Sequence, residues 1–202
     1  LTQTTITNCP NVNPIISEKF QWFTFITGNT ADTDNILYIS APITPTHPEY
    51  AYDWVITNSE QITYDSKILG LVSSMNRLII FTETRIEYIG KDSLQTIGGT
   101  ATLVSTPIGN WWQLASWASV MAWGDTVMYL TKNNTINTLF YAQGTVEPII
   151  WDLTDDVSFT ITQYLKRLDT DQSNSFWYYD DTRKEFHWFL REINVPYNNT
   201  VL

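Results

Sequence analysis

Apolar and polar positions alternate along most of this chain in short runs, each closed by a few polar residues. RLIIF gives way to Thr-Glu-Thr and then RIEYIG; TVMYLT gives way to Lys132, Asn133 and Asn134 and then TINTLFYA; FWYYD gives way to Asp181–Lys184 and then EFHWFLRE. Each is an alternating β-branched or aromatic run, a polar turn and a second such run, which is the sequence form of a β-hairpin. Helical periodicity is confined to WWQLASWASVMAW, where Trp111, Leu114, Trp117, Ala118 and Met121 recur at three- and four-residue intervals. The Gly-Asp inside ASVMAWGDTVMYL lies between two apolar runs, as hairpin turns do, and the strand reading is preferred there. APITPTHPEY, with three prolines in ten residues, predicts an extended connection, because proline cannot serve a central strand.

The hairpins recur. Leu78, Val127 and Trp177 hold matching places in the three hairpins, at offsets of 49 and 50 residues. A period of this size in an all-β chain predicts blades of roughly four strands each. The expected architecture is a single all-β domain over 1–202, a propeller-like array of about four antiparallel blades near 17–65, 66–110, 111–157 and 158–202. A large β-sandwich with long hairpins gives similar spacing and is the alternative.

Composition agrees with the strand pattern. Trp, Tyr and Phe make up 14% of the 202 residues, and Thr, Asn, Ser and Gln supply much of the polarity. Thr and aromatic side chains pack well on pleated sheets. The 21 Asp and Glu outnumber the 11 Lys and Arg, for a net charge of −10. That balance argues against binding phosphate backbones or an anionic membrane surface, both of which need clustered cations. Charged residues are only 16% of the chain, too few for a disordered acidic tail. Cys9 is the sole cysteine, so no intrachain disulfide or multi-thiolate zinc site can form. No run reaches the roughly 20 apolar residues of a membrane span, and no signal peptide is visible. The chain begins without Met and ends at NNTVL, and is expected to be a piece of a longer protein.

Candidate chemistry is sparse. His47 lies in the Pro-rich stretch and His187 alternates with Phe186 and Trp188, and neither has a His or Cys neighbour at ligand spacing. Carboxylates cluster at Asp152, Asp155 and Asp156, at Asp169 and Asp171, and at Asp180–Asp181. A glycosidase needs two carboxylates across a sugar, but Asp also initiates turns through its own backbone, and turn chemistry is the expectation. The spacing of DLTDD is not that of a calcium loop. No phosphate-cradling glycine motif and no nucleophile elbow occurs. The NNT sequons at Asn133 and Asn198 are expected by chance in an Asn- and Thr-rich chain. No catalytic, cofactor-binding or metal-ligating residue is predicted, no cofactor is implied, and the chain is expected not to be an enzyme.

FWYYDDTRKEFHWFLRE (Phe176–Glu192) places seven aromatic rings in seventeen residues. Phe176 and Tyr178 fall on one face of their strand and Trp177 and Tyr179 on the other; Phe186 and Trp188 oppose His187 and Phe189. Bulk on both faces predicts a strand buried on both sides, with only the turn Asp180–Lys184 open to solvent. A glycan platform, by contrast, would expose rings on one face beside polar partners.

Three segments carry a family resemblance. NILYISAP with its following Pro-containing loop, KILGLVSSMNRLIIFTETRIEYIG, and EFHWFLRE followed by NNTVL resemble blade segments of the β-propeller tail proteins of short-tailed bacteriophages. These are the nozzle, or tail tubular B, type and the packaged-DNA stabilisation type, and the resemblance covers residues 34–202. It implies a virion tail component that assembles as a homo-oligomeric ring, commonly six-fold. Such a ring lies below the portal and adaptor proteins and lines or closes the channel through which DNA leaves. It carries no catalytic residues over to this chain. An acidic wall would pass DNA without specific binding, since like charges prevent phosphate contacts. Nozzle proteins of this type are considerably longer, so the chain would be part of one. The alternatives are a carbohydrate-binding module for host surface glycans and, more remotely, a propeller glycosidase.

Overall fold

The computed structural model describes residues 16–28, 30–41, 45–46, 60–74, 76–91, 106–109, 114–124, 126–140, 149–152, 164–169 and 171–201. Strands β1 (Ser17–Phe20), β2 (Phe23–Thr27), β3 (Ile36–Ile39) and β4 (Glu60–Thr63) form the first sheet. The second holds β5 (Ile68–Ser74), β6 (Arg77–Thr82), β7 (Ile86–Gly90) and β8 (Thr106–Gly109). The third holds β9 (Val120–Trp123), β10 (Thr126–Leu130), β11 (Ile136–Phe140) and β12 (Ile149–Asp152), and the fourth β13 (Phe176–Asp180), β14 (Glu185–Leu190) and β15 (Thr200–Val201). Every sheet is an antiparallel meander of strands consecutive in sequence.

Local chemistry explains the hairpins. Two residues separate Phe20 from Phe23, Ser74 from Arg77 and Trp123 from Thr126, each a paired couple. Tight turns of this length demand positive φ, since only then does the turn follow the strand twist. Gln21, Asn76 and Gly124 supply it, at 53°, 57° and 57°. The β13–β14 turn is longer. There Asp180 Oδ1 accepts from the backbone N–H groups of Thr182 (2.9 Å) and Arg183 (3.1 Å), and Lys184 takes φ of 60°. The charged cluster in the aromatic stretch is thus turn chemistry.

Strand alternation sends the two faces of the second sheet, and of the third, into different cores. From the first sheet Phe25, Leu37 and Ile39 meet Leu71, Leu78 and Ile80 of the second. The opposite face of the second sheet, Val72, Ile79 and Phe81, meets Val127, Tyr129 and Leu139 of the third. The third sheet's other face, Met121 and Leu130, meets Trp188 and Leu190 of the fourth. Gly70 in β5 marks a close approach: a Cβ there would stand 2.6 Å from Leu114 Cδ2. Each fully buried large side chain stabilises the fold by roughly 1.5–3 kcal/mol. Sheets stacked in sequence order with a shared core at each junction form a propeller-like all-β array, not the two broad sheets of a sandwich.

Two expectations need correction. The rings of Phe176–Glu192 do not fill a sheet interior on both faces. Trp188 is buried at 5% exposure, but Phe176 and Tyr178 on the opposite face are 44% and 57% exposed. Among the described residues the fourth sheet is packed on one side only, so bulk on both faces here marks a sheet with an exposed aromatic side. Second, Trp177 does not match Leu78 and Val127. Those residues lie in the second strands of their sheets, whereas Trp177 lies in β13, the first strand of its sheet among the described residues. The 50-residue spacing matched hairpins but not their places within a blade.

Candidate functional site

The first strands of the four sheets converge. Ile16–Glu18 at β1, Leu71–Ser73 of β5, Val120–Ala122 of β9, and Phe176 and Trp177 of β13 line a single open cleft of about 700 Å³, joined by Trp117 and Ala118 from the loop before β9. Each of these strands is an edge strand of its sheet. In a propeller-like array this is the axial position, where innermost strands face one another.

Polar bonds tie the converging strands in series. Glu18 Oε1 accepts from Ser73 N (3.0 Å) and Ser73 Oγ (2.6 Å), joining the first and second sheets. Ser74 Oγ donates to Gly124 O at 3.0 Å, joining the second and third. Trp177 Nε1 donates to Val120 O at 2.6 Å, joining the third and fourth. Glu18 is half-buried, and no cationic side chain pairs with it among the described residues. Among the described residues it is the only charged one on the cleft wall. Trp117 is 54% exposed and Phe176 is open on its outer side. The cleft therefore joins an exposed indole to an anionic oxygen.

The carboxylates singled out in the sequence lie elsewhere. Asp169 and Asp171 flank Arg191, whose Nη2 stands 3.4 Å and 2.9 Å from their carboxylates. Buried Gln172 completes the lock: its amide donates to Asp169 O and Arg191 O and accepts from Arg191 N. Hydrogen bonds from Ser173, side chain first and then backbone, hold the Asp171 carboxyl below its usual range, and Arg191 adds to this. The arrangement fixes the approach to β13 against the end of β14. Burial raises the Tyr38 phenol above its usual value. His187 lies on the uncovered side of β14, 3.7 Å from Glu185 Oε2. Asp180 and Asp181 belong to the β13–β14 turn. Asp152 ends β12, and Cys9, His47, Asp155 and Asp156 lie outside the described residues. Among the described residues no three His, Cys, Asp or Glu gather closely enough to hold a metal ion.

Sequence reading passed over Glu18, Ser73 and Trp117. One signal was available: in ISEKF, Ile16, Glu18 and Phe20 share a strand face, so a carboxylate sits in an apolar row.

No family model matches the sequence, and no curated protein is significantly similar to it. Solved structures similar in backbone include the N-terminal domain of Nup159, at 10% identity and a TM-score of 0.49, covering 90% of this chain and 40% of that one. Hsv2 from Kluyveromyces lactis matches at 8% identity and 0.42, over 88% of this chain and 60% of that one. Human WBSCR16 matches at 9% and 0.39, over 86% and 45%. The chain thus spans 40% to 60% of the length of these structures. Its propeller-like architecture follows from the sheet order and the three shared cores, not from alignments this distant.

Proposed function

We propose that this chain is a non-catalytic structural part of a bacteriophage tail, working by assembly within the ring that lines or closes the DNA exit channel. The observation that carries the reading is the uncovered face of the fourth sheet. Phe176 and Phe189 stack there with centroids 4.6 Å apart, and Tyr178 and Val201 stand exposed beside them. A contiguous apolar patch on a soluble protein marks a surface that another protein covers. The resemblance of residues 34–202 to short-tailed phage propellers supplies the setting: a homo-oligomeric, six-fold ring in the virion tail, in contact with adaptor proteins. The net charge of −10 suits a wall that DNA passes without binding.

A second reading, recognition of host surface glycans, draws on the rings around the axial cleft. Electron cryo-microscopy of the native particle separates the two. The tail reading expects the chain in a ring about the channel, with the Phe176–Tyr178 face against a neighbour. Chains placed singly at the tips of host-contacting fibres would overturn it.

A further inference from the structure

We propose that the axial cleft is a binding site for an arginine side chain carried on a partner polypeptide. The inference does not depend on the tail assignment.

Glu18 selects the charge. Its carboxylate stands on the wall without an ionic partner among the described residues, and its Oε1 is fixed by the two donors of Ser73. Those bonds hold the carboxylate in place while leaving Oε2 as an acceptor. A half-buried anion without a counter-ion among the described residues favours a cation over a neutral ligand, because its field is less screened than at an open surface. An aromatic wall acts in the same direction. Trp117, on the cleft wall, is 54% exposed, and ring faces attract organic cations.

The guanidinium suits this wall better than an ammonium, being planar, weakly hydrated and able to stack on an indole while donating to a carboxylate. A sugar suits it less well. Among the polar groups on the wall, Ser73 Oγ and Glu18 Oε1 already satisfy each other, leaving chiefly Glu18 Oε2 and Ser17 for a ligand rich in hydroxyls. The open cleft leaves room for the chain that carries the side chain, and the methylene stem of an arginine can lie along Leu71, Val72 and Met121 of the wall.

The test is calorimetric titration of the chain with acetyl-Gly-Arg-Gly-amide, its citrulline counterpart, arginine amide and methyl glucoside. The arginine peptide should bind, and the neutral citrulline peptide should bind about tenfold more weakly, the loss of one charge-assisted contact. Glu18→Gln should weaken the arginine peptide by a similar factor and the citrulline peptide by less, since the amide oxygen still accepts from Ser73 and only the arginine peptide loses an ion pair. Trp117→Ala, at an exposed position, should weaken it about threefold to fivefold and serves should Glu18→Gln unfold the chain. Binding should weaken in high salt. Failure of the arginine peptide to bind, equal binding of the citrulline peptide, or indifference to both substitutions overturns the proposal. Equal affinity for arginine amide overturns its polypeptide part, and tighter binding of methyl glucoside favours the glycan reading instead.

Discussion

Strands β6 and β13 look alike in sequence and differ in place. RLIIFT and FWYYD both carry bulk on two faces. In β6, Leu78 and Ile80 enter the core with the first sheet, while Ile79 and Phe81 enter the core with the third, and all four are buried. In β13 only the Trp177 side is packed, and Phe176 and Tyr178 face outward. A two-faced apolar strand therefore says that both faces are meant for contact. It does not say that this chain supplies both contacts.

Substitutions can break this comparison. The largest effect is expected for Trp188→Ala on the packed side of the fourth sheet, a loss of about 3–5 kcal/mol in urea unfolding. A loss below about 1 kcal/mol would mean the junction of third and fourth sheets is not a real core. Next come Leu78→Ala and Ile79→Ala, each costing about 2–5 kcal/mol. The two neighbours point to opposite cores, and similar costs are the mark of a strand sealed on both sides. One large and one negligible cost would reduce the second sheet to a single packed face.

Phe176→Ala should cost less, about 0.5–1.5 kcal/mol for its stacking on Phe189, because the ring is already half open to water. A cost equal to that of Trp188→Ala would show the outer face to be covered within the chain.

The smallest effect is at Asp171. Its carboxyl is held below the ordinary range in the folded chain by Ser173 and then Arg191. The folded state binds that proton less readily than the unfolded state does. Its contribution is therefore present above the unfolded value of about 4 and is lost as pH falls through the folded value. Urea midpoints of the wild type and Asp171→Asn should differ slightly at neutral pH and converge in acid. A gap that widens on acidification would contradict the assigned bonds.

Hairpins were legible in the sequence because their cause is local. Alternation marked β6–β7, β10–β11 and β13–β14, and Gly124 and Asp180 marked turns. The propeller-like class followed from their recurrence. Position within a blade was not legible, since hairpin spacing is blind to which pair of strands a hairpin joins, and Trp177 was misplaced on that account. The axial cleft was beyond reach for another reason. Glu18 and Ser73 lie 55 residues apart, and Trp177 reaches Val120 across 57. Such pairings depend on how sheets stack, a choice made by three cores at once and written in no single stretch.

Hydroxyl-radical footprinting of the isolated chain, read residue by residue, tests the central claim that the fourth sheet is sealed inside and bare outside. Phe176 and Tyr178 should be modified rapidly, while Trp188, Phe81 and Tyr129 stay protected in the same digest. Modification of Trp188 as fast as Tyr178, or protection of Phe176 and Tyr178 equal to that of Tyr129, would contradict it.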